Sequence, residues 1–473
     1  MDRAKPLGLT ETSTLIIGAM IGSGILVLPG LMIAQVKAPI LVVAALVLGG
    51  LLSWLGALVF AELGAMFPRG GGQVHYLREG LGPVWGHLYG WAMFWIVLSG
   101  VLAGIVAALG NFVGVLLPLG GQATPLVLGG WETGLTLPAW GPAFVAIAAI
   151  WALVLLNLLG AKAGGIMSNV STVAKYLGLL AVAVVLYLAE PAPDAFQPGG
   201  SGWDGALQGA TFAGFAAALA FGLFSYDGWV TATFVAGEVR EPRRTLPRAL
   251  FLGPLVVTAI YIVITVAYFL VLSPAAGVAV GEDPEGLVAV SAVEAALGAD
   301  AGKIIAIVAV VSLLGTTNAF VLAAPRVFHA MGRTDRPDEP GLGRLTRKEV
   351  PVTAMVYVCL WSSVLVMTGL FASLVYMVVF AQWAFYGLTA IAHMRLRRKA
   401  ADADRPFRTP LYPLVPLLFI FACAFVVMAM VGQAEQRPYA LLATLLVAAG
   451  LPVYAAQRRR RTDRSSTEVS AAS

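Results

Sequence analysis

Twelve times along this chain a stretch of about twenty or more residues runs almost free of charge, the length a helix needs to cross the hydrocarbon of a bilayer. The runs fall at roughly 10–37, 40–67, 82–118, 142–160, 164–189, 206–238, 246–272, 300–331, 350–368, 370–398, 411–433 and 436–457, cut by glycine, proline and charged clusters. Barrel strands would be about ten residues long and strictly alternating, and Leu41–Phe67 shows no alternation. The expected fold is therefore an all-α polytopic membrane protein of twelve transmembrane helices. Only 12% of the residues are charged and 59% are hydrophobic. A soluble globule needs about a quarter of its residues charged, and disordered chains are poor in apolar residues. Both of those classes are excluded.

Charge sets the orientation. With the amino terminus placed in the cytoplasm, all but four of the 30 lysines and arginines fall on the inner side. Lys37, Lys303 and Arg437 lie outside and Lys175 lies within a span. That asymmetry is the positive-inside rule, and it puts both tails, 1–9 and 458–473, in the cytoplasm of a cell-membrane protein. The net charge of +5 then calls for no nucleic acid, since Arg395–Lys399 and Arg458–Arg461 sit where anionic lipid headgroups attract basic side chains. Asp2-Arg3-Ala4-Lys5-Pro6 leads directly into a run long enough to stay in the bilayer, so no cleavable leader is expected. Cys359 and Cys423 lie inside apolar runs and read as buried thiols. Their spacing suits neither a disulfide framework nor a zinc site, and no extracellular cysteine is evident for a covalent partner subunit. A short surface helix is expected around Gly286–Leu297.

Catalytic patterns are missing. No His-Glu-x-x-His, Gly-x-Ser-x-Gly or Gly-x-x-x-x-Gly-Lys occurs, and no metal or cofactor site is read. Glu62 and Asp227 stand out among the few carboxylates inside spans; Glu62 reads as a structural tie from span two to nearby backbone or a basic loop residue. The distinctive features are breaks. Ile21-Gly22-Ser23-Gly24-Ile25 interrupts the first span, and Gly222-Leu223-Phe224-Ser225-Tyr226-Asp227-Gly228-Trp229 interrupts the sixth. A glycine-bearing break frees peptide groups that must find other partners in lipid. The breaks sit at corresponding positions of two halves, 10–189 (helices 1–5) and 206–399 (helices 6–10), with 411–457 adding helices 11 and 12. Five spans per half make the second half enter from the opposite side, the arrangement of inverted-repeat transporters.

These stretches resemble the amino acid–polyamine–organocation (APC) superfamily, most closely its L-amino acid transporter branch, over nearly the whole chain. Carrying the resemblance are Met20–Ile25, Ala61-Glu62-Leu63-Gly64, Pro68–Gln73, Phe224–Trp229, Gly237–Arg248, Leu314–Asn318, Arg326-Val327-Phe328 and Arg405–Pro410. The resemblance implies a LeuT-like 5+5 inverted repeat with two additional helices, working by alternating access as a sodium-independent exchanger or proton-coupled symporter of L-amino acids. Its implied site grips a zwitterion. Ser23 and Gly24 would offer N–H groups to the carboxylate, and carbonyls near Met20 and Gly22 and of Phe224 and Ser225 would take the ammonium. Phe224 matches a capping aromatic, with plain helix packing as its other reading. Trp229 is a second gate candidate or core, and Asn318 either lines the pocket or satisfies local backbone.

Lys175 sits about 16 Å into span five by helical rise, too deep for an interfacial anchor. The resemblance suggests that its charge stands where sodium-coupled relatives hold their ion, close to Gly22, Gly315 and Thr316. It would serve as a fixed cation or as a proton donor in the cycle. Asp227 has two readings: a side chain in the pocket would favour cationic substrates, whereas one bonded to backbone leaves a neutral pocket. Rival functions are polyamine or amine transport on the same fold, an ion channel, and a membrane-embedded enzyme. The few buried charges form no ring for a channel.

Overall fold

A peptide group in hydrocarbon has no water to bond, so each apolar run closes its hydrogen bonds on itself as a helix. The computed structural model describes residues 7–22, 24–68, 71–117, 119–120, 124–128, 131–137, 140–159, 161–193, 195, 211–283, 286–335, 352–369 and 371–459. Helices α1 (Leu9–Met20) and α2 (Gly24–Val36) fill the first run, bent by 42° at their break, and α3 (Pro39–Met66) fills the second. A short α4 (Gln73–Leu81) precedes the third run, built of α5 (Pro83–Ala92), a π-helical turn (Met93–Leu98) and α6 (Ser99–Leu116). Next come α7 (Trp140–Leu159), α8 (Ala161–Leu188), the broken pair α9 (Phe212–Tyr226) and α10 (Thr231–Phe234), and α11 (Pro242–Val271). Two short helices, α12 (Pro274–Glu282) and α13 (Val288–Leu297), lead to α14 (Ala301–Asp335), α15 (Val352–Met367), α16 (Phe371–Lys399), α17 (Leu414–Gly432) and α18 (Arg437–Ala448).

Among the described residues, eight helices are long and apolar enough to cross a bilayer, nine counting α1 with α2 as one bent span. That is fewer than the twelve runs, because α9 and α15 are 15 and 16 residues long and only Val173–Leu188 of α8 enters the count. Large apolar side chains such as Phe144, Leu188 and Phe421 face outward, exposed by 73%, 82% and 68%. Water would not tolerate so many in contiguous bands; lipid does.

The all-α expectation needs one correction. Thr124–Leu128 and Trp131–Leu137 pair as an antiparallel hairpin between α6 and α7, with Thr124 opposite Leu137 and Leu128 opposite Trp131. Its strands lie outside the apolar runs, and Gly129-Gly130 between β-branched and aromatic residues is the sequence mark of a two-residue hairpin. A helix does stand where a surface helix is expected near 286–297, namely α13, but one face of it is core: Val288, Ala289 and Ala292 are fully buried. It is preceded by α12, whose first turn is capped by the Ser273 hydroxyl accepting from the Ala276 amide at 3.2 Å.

Helix α3 is 28 residues long, about 42 Å by its rise, and polar contacts fasten both of its ends. At its start Lys37 pairs with Glu282 at the end of α12. Near its other end the Glu62 carboxylate is fully buried and meets a cluster of donors. Arg397 Nε donates to it at 2.8 Å and Arg397 Nη2 to its other oxygen. His393 Nε2 lies at 3.0 Å, Arg405 Nε at 3.4 Å, and the Thr409 amide donates at 2.7 Å. The Arg397 guanidinium in turn covers the Tyr412 ring, 3.9 Å from its centroid. Glu62 is thus the tie that its place in span two predicts, and its partners are the last turns of α16 and the segment before α17.

Removing one member of a buried ion cluster leaves the others charged and unpaired, which costs about 3–5 kcal/mol. Glu62→Ala is therefore expected to lower the thermal unfolding midpoint in detergent sharply. Arg243→Ala, which breaks the exposed pair with Asp404, should shift stability by no more than ~1 kcal/mol. Equal, small shifts in the two variants would contradict a structural role for the cluster.

Candidate functional site

The first break opens because Gly22 and its neighbours give the helix nothing to hold it in register. Helix α1 ends at Met20, and Ile21 leaves the helix with φ −76° and ψ 90°, its amide still donating to the Ile17 carbonyl at 2.8 Å. Helix α2 restarts at Gly24, and its first turn leaves amides without intrahelical acceptors. Ser23 lies outside the described residues. At the second break Asp227 turns out of α9 with φ −62° and ψ 146°. Gly228 follows at φ +122°, a backbone state that L side chains rarely adopt.

The two breaks touch. A Cβ on Gly24 would stand 2.8 Å from Ser225 Oγ, and one on Gly228 would stand 2.8 Å from the Ala19 carbonyl. The start of α2 thus faces the end of α9, and the end of α1 faces the segment entering α10. A third element pins them. The Tyr261 hydroxyl, from α11, lies 2.7 Å from the Met20 carbonyl and 2.9 Å from that of Ser225. Its single proton is shared between the two ruptured helices.

Lys175 comes from α8 and is 4% exposed. Its Nζ donates to the Ile21 carbonyl at 2.6 Å and to that of Gly18 at 3.3 Å. These are carbonyls that the end of α1 leaves without helical donors, at the negative pole of that half-helix. The ammonium thus caps α1. Lys175 also borders a small void lined by Leu26 of α2 and Ser312 of α14.

One cavity opens beside the breaks. Met20, Gly22, Gly24, Phe224, Ser225 and Asp227, all singled out from the sequence, line it together. Opposite them stand Met93, Val97 and Leu98 of the π turn, with Val101 and Ile105 of α6. The widened turn is held open by side chains: Ser99 Oγ donates to the Phe94 carbonyl at 2.7 Å, and Trp361 Nε1 of α15 donates to that of Trp95 at 2.9 Å. Asp227 accepts from the Tyr386 hydroxyl at 2.7 Å, so its carboxylate is held by a side chain of α16 at the cavity wall.

Two residues stand elsewhere. Asn318 is buried and accepts from Asn157 Nδ2 at 2.7 Å, tying α14 to α7 behind the wall. Trp229 packs edge-on against Phe60, centroids 4.9 Å apart, and against Tyr386 at 4.9 Å. Neither lines the cavity. Lys175 lies against Gly18 and Ile21, one residue short of the expected Gly22. Sequence reasoning missed Tyr261 and Gln382. A tyrosine inside the apolar run Val256–Val271 was the available signal, because a buried phenol needs a partner.

The chemistry on offer is plain. Amides at the positive end of α2 suit an anionic group, and the carbonyls of the breaks suit a cationic one.

The family model described as amino acid permease matches residues 7–449. The serine/threonine exchanger SteT of Bacillus subtilis (strain 168) is 31% identical over 458 residues, covering 97% of this chain and 98% of its own. The b(0,+)-type amino acid transporter 1 of Homo sapiens is 29% identical over 469 residues, covering 95% and 87%. The cystine/glutamate transporter of Homo sapiens is 26% identical over 432 residues, covering 89% and 79%.

Tyr261→Phe removes the one proton that serves both ruptured helices. A lost buried hydrogen bond with its acceptors left behind costs about 1–3 kcal/mol, so the unfolding midpoint in detergent should fall. An unchanged midpoint would mean that the breaks hold together without the hydroxyl.

Proposed function

The chain belongs to the amino acid permease family, in the L-amino acid transporter branch of the APC superfamily, and from that premise we propose a sodium-independent secondary transporter of L-amino acids. Membership makes it a carrier and not an enzyme. Our reading has twelve spans: α1 with α2, α3, α5 with α6, α7 and α8 form one repeat of five. The pair α9–α10 with α11, α14, α15 and α16 forms its inverted partner, and α17 and α18 complete the set. The protein works in the cell membrane with both termini in the cytoplasm, as an exchanger or a proton-coupled symporter. The name of SteT, an exchanger of serine and threonine, favours exchange.

In this reading the substrate lies in the cavity between the breaks. Its carboxylate takes the amides at Ser23 and Gly24, and its ammonium takes the second lone pairs of the Met20 and Ser225 carbonyls, with Gly22 and Phe224 contributing. Phe224 closes over it. Trp229 acts from behind as the packing on which the sixth span moves, and Asn318 braces the wall through Asn157. Binding energy spent on the closed form shifts the population between two conformations.

One observation carries the sodium independence: the ammonium of Lys175 donating to Ile21 and Gly18. A metal ion at the end of α1 would need those same carbonyls, and the lysine already supplies the positive charge that the half-helix terminus calls for.

Purified protein in proteoliposomes should show saturable amino acid counterflow, unchanged when choline replaces sodium. Lys175→Ala is expected to lower the rate by about tenfold or more, since it strips the end of α1 of its charge-assisted partner, and sodium should not restore it. Wild-type flux in that variant would end the fixed-cation reading. Gly24→Leu, whose side chain would collide with Ser225, should insert normally yet lose substrate binding. Retained thermal stabilisation by amino acids would move the site away from the breaks.

A further inference from the structure

The π-helical turn between α5 and α6 has no part in the proposed grip on a zwitterion, yet it forms one wall of the cavity. A π turn carries one residue more than the α turn it replaces, and such turns occur frequently at functional sites. Each residue advances an α-helix by about 100°, so the additional one resets the face that everything after it presents. Met93 and Leu98 show the effect. Both line the cavity, although residues five apart on an α-helix point about 140° away from each other. Val101 and Ile105 of α6 follow Val97 at intervals of four and carry the same face along the wall.

A π turn also breaks the regular ladder, and a carbonyl that loses its helical donor in hydrocarbon needs another. In an α-helix the Trp95 carbonyl would take the amide of Ser99. Here the Ser99 amide goes to the Ile96 carbonyl instead, and Trp361 Nε1 of α15 donates to the Trp95 carbonyl at 2.9 Å. The next residue of α15 repeats the grip: Ser362 Oγ donates to the Ser99 carbonyl at 3.1 Å. The Ser99 hydroxyl makes a third bond, to the Phe94 carbonyl at 2.7 Å. The Trp361 ring stands edge-on to that of Trp95, centroids 5.0 Å apart. Neither Trp361 nor Ser362 lines the cavity. Two adjacent side chains of α15 therefore hold, from outside the cavity, the turn that brings Met93, Val97 and Leu98 to its wall.

We propose that Trp361 is a positioning residue for substrate binding. By supplying the donor that the Trp95 carbonyl lacks, it keeps the wall of Met93, Val97 and Leu98 in register with the two breaks. Without that N–H, the nearest donor for the Trp95 carbonyl is the Ser99 amide. Taking it returns the segment toward α geometry and turns Leu98 away from Met93. The cavity then loses the shape of that wall although no group lining it has been replaced. The proposal rests on the transport reading above, because it supposes that the substrate occupies this cavity.

Half-saturation of alanine counterflow in proteoliposomes tests it, with two tryptophans compared. Trp361→Phe keeps a ring against Trp95 and removes the N–H. Trp91→Phe removes the N–H of a neighbouring indole, 5.5 Å from Trp95 between centroids, whose acceptor is the Leu446 carbonyl of α18 and not the turn. Each variant loses one partly buried hydrogen bond, so both should melt at a lower temperature. Trp361→Phe alone is expected to raise the half-saturating alanine concentration, by about fivefold or more, with the maximal rate per folded carrier within about twofold of wild type. Ser362→Ala should move it in the same direction by less. A second readout does not depend on transport. Leu98→Cys is expected to react with a water-soluble maleimide, both native cysteines being buried, and Trp361→Phe should slow that reaction severalfold where Trp91→Phe does not. An unchanged half-saturation in folded Trp361→Phe, or an equal rise in Trp91→Phe, overturns the proposal; should Trp361→Phe fail to fold, Ser362→Ala decides by the same criterion. Absence of any saturable alanine counterflow in the wild type would be a different failure, that of the transport reading. The maleimide reaction would still test the hold on the turn, and an unslowed reaction in Trp361→Phe would overturn it.

Discussion

A peptide carbonyl stripped of its helical donor inside a membrane has few places to turn, and the centre of this molecule is organised around that shortage. At the end of α1 the carbonyls of Gly18 and Ile21 receive the ammonium of Lys175, and the Met20 carbonyl receives the phenol of Tyr261. Both donors come from other helices, α8 and α11. The break in α1 therefore persists only while α8 and α11 stay where they are. Tyr261 reaches Ser225 as well, so the second break depends on the same helix as the first. Water would make such rescue unnecessary; in hydrocarbon each freed group costs several kcal/mol unless paired.

The rest of the architecture separates what is loose from what is fastened. Around the breaks the contacts are single hydrogen bonds and close approaches of glycine to backbone, such as Gly228 against Ala19. At the far end of α3, Glu62 collects two arginines, a histidine and a backbone amide. Contacts of the first kind are few and engage one donor at a time, whereas opening the second kind unpairs several buried charges at once. On the transport reading, motion that reorganises the cavity would fall to the half-helices, with the α3–α16 junction as a fixed point. The parallel bridge between Leu7 and Val239 adds a link between the segment before α1 and the one after α10. Leu7 donates to Glu238 at 2.9 Å and accepts from Arg240 at 2.7 Å, so the leading segment of α1 and the segment after α10 are tethered to one another.

The distribution of apolar residues made the helices legible before any coordinates, because a bilayer imposes one length and one way of satisfying backbone. Gly22, Gly24 and Gly228 made the breaks legible, and the matching positions of the two breaks made their meeting legible. Lys175 stood out because a charge deep in a span demands a partner. What stayed hidden were the partners themselves. Which face of α16 meets α9 depends on helix rotation, and rotation is set by packing that a linear pattern does not encode. Gln382 and Tyr386 therefore looked like ordinary polar interruptions. Arg397 looked like a lipid-facing cation, yet it turns inward to Glu62. Asn318 and Trp229 each had two readings, and pattern alone did not choose between them: both lie in stretches that resemble the family, yet neither lines the cavity, and their contacts are those of packing and bracing. The hairpin between α6 and α7 was missed because attention to apolar runs discounts short β-branched segments outside them.

A tethered cation also bears on what drives the proposed cycle. A bound metal ion can be taken up on one side and left on the other, and its gradient then does work at each turn. The ammonium of Lys175 is covalently part of α8 and accompanies every conformation, so no metal gradient acts through that position. While Lys175 is protonated, the end of α1 keeps its counter-charge whether the cavity is filled or empty. On the transport reading, direction must then come from whatever else crosses: a second amino acid returning, or a proton that visits the lysine. The two differ in what the empty carrier can do. An obligatory exchanger needs the empty form to be slow to reorient, and the donors at the breaks supply a reason. Without a substrate, its ammonium and carboxylate no longer help Lys175 and Tyr261 to satisfy the freed backbone. Any rearrangement that loosens those two side chains then leaves peptide groups bare in a medium that penalises them. Substrate in the cavity removes part of that penalty, and so lowers the barrier to turning over only when something is bound.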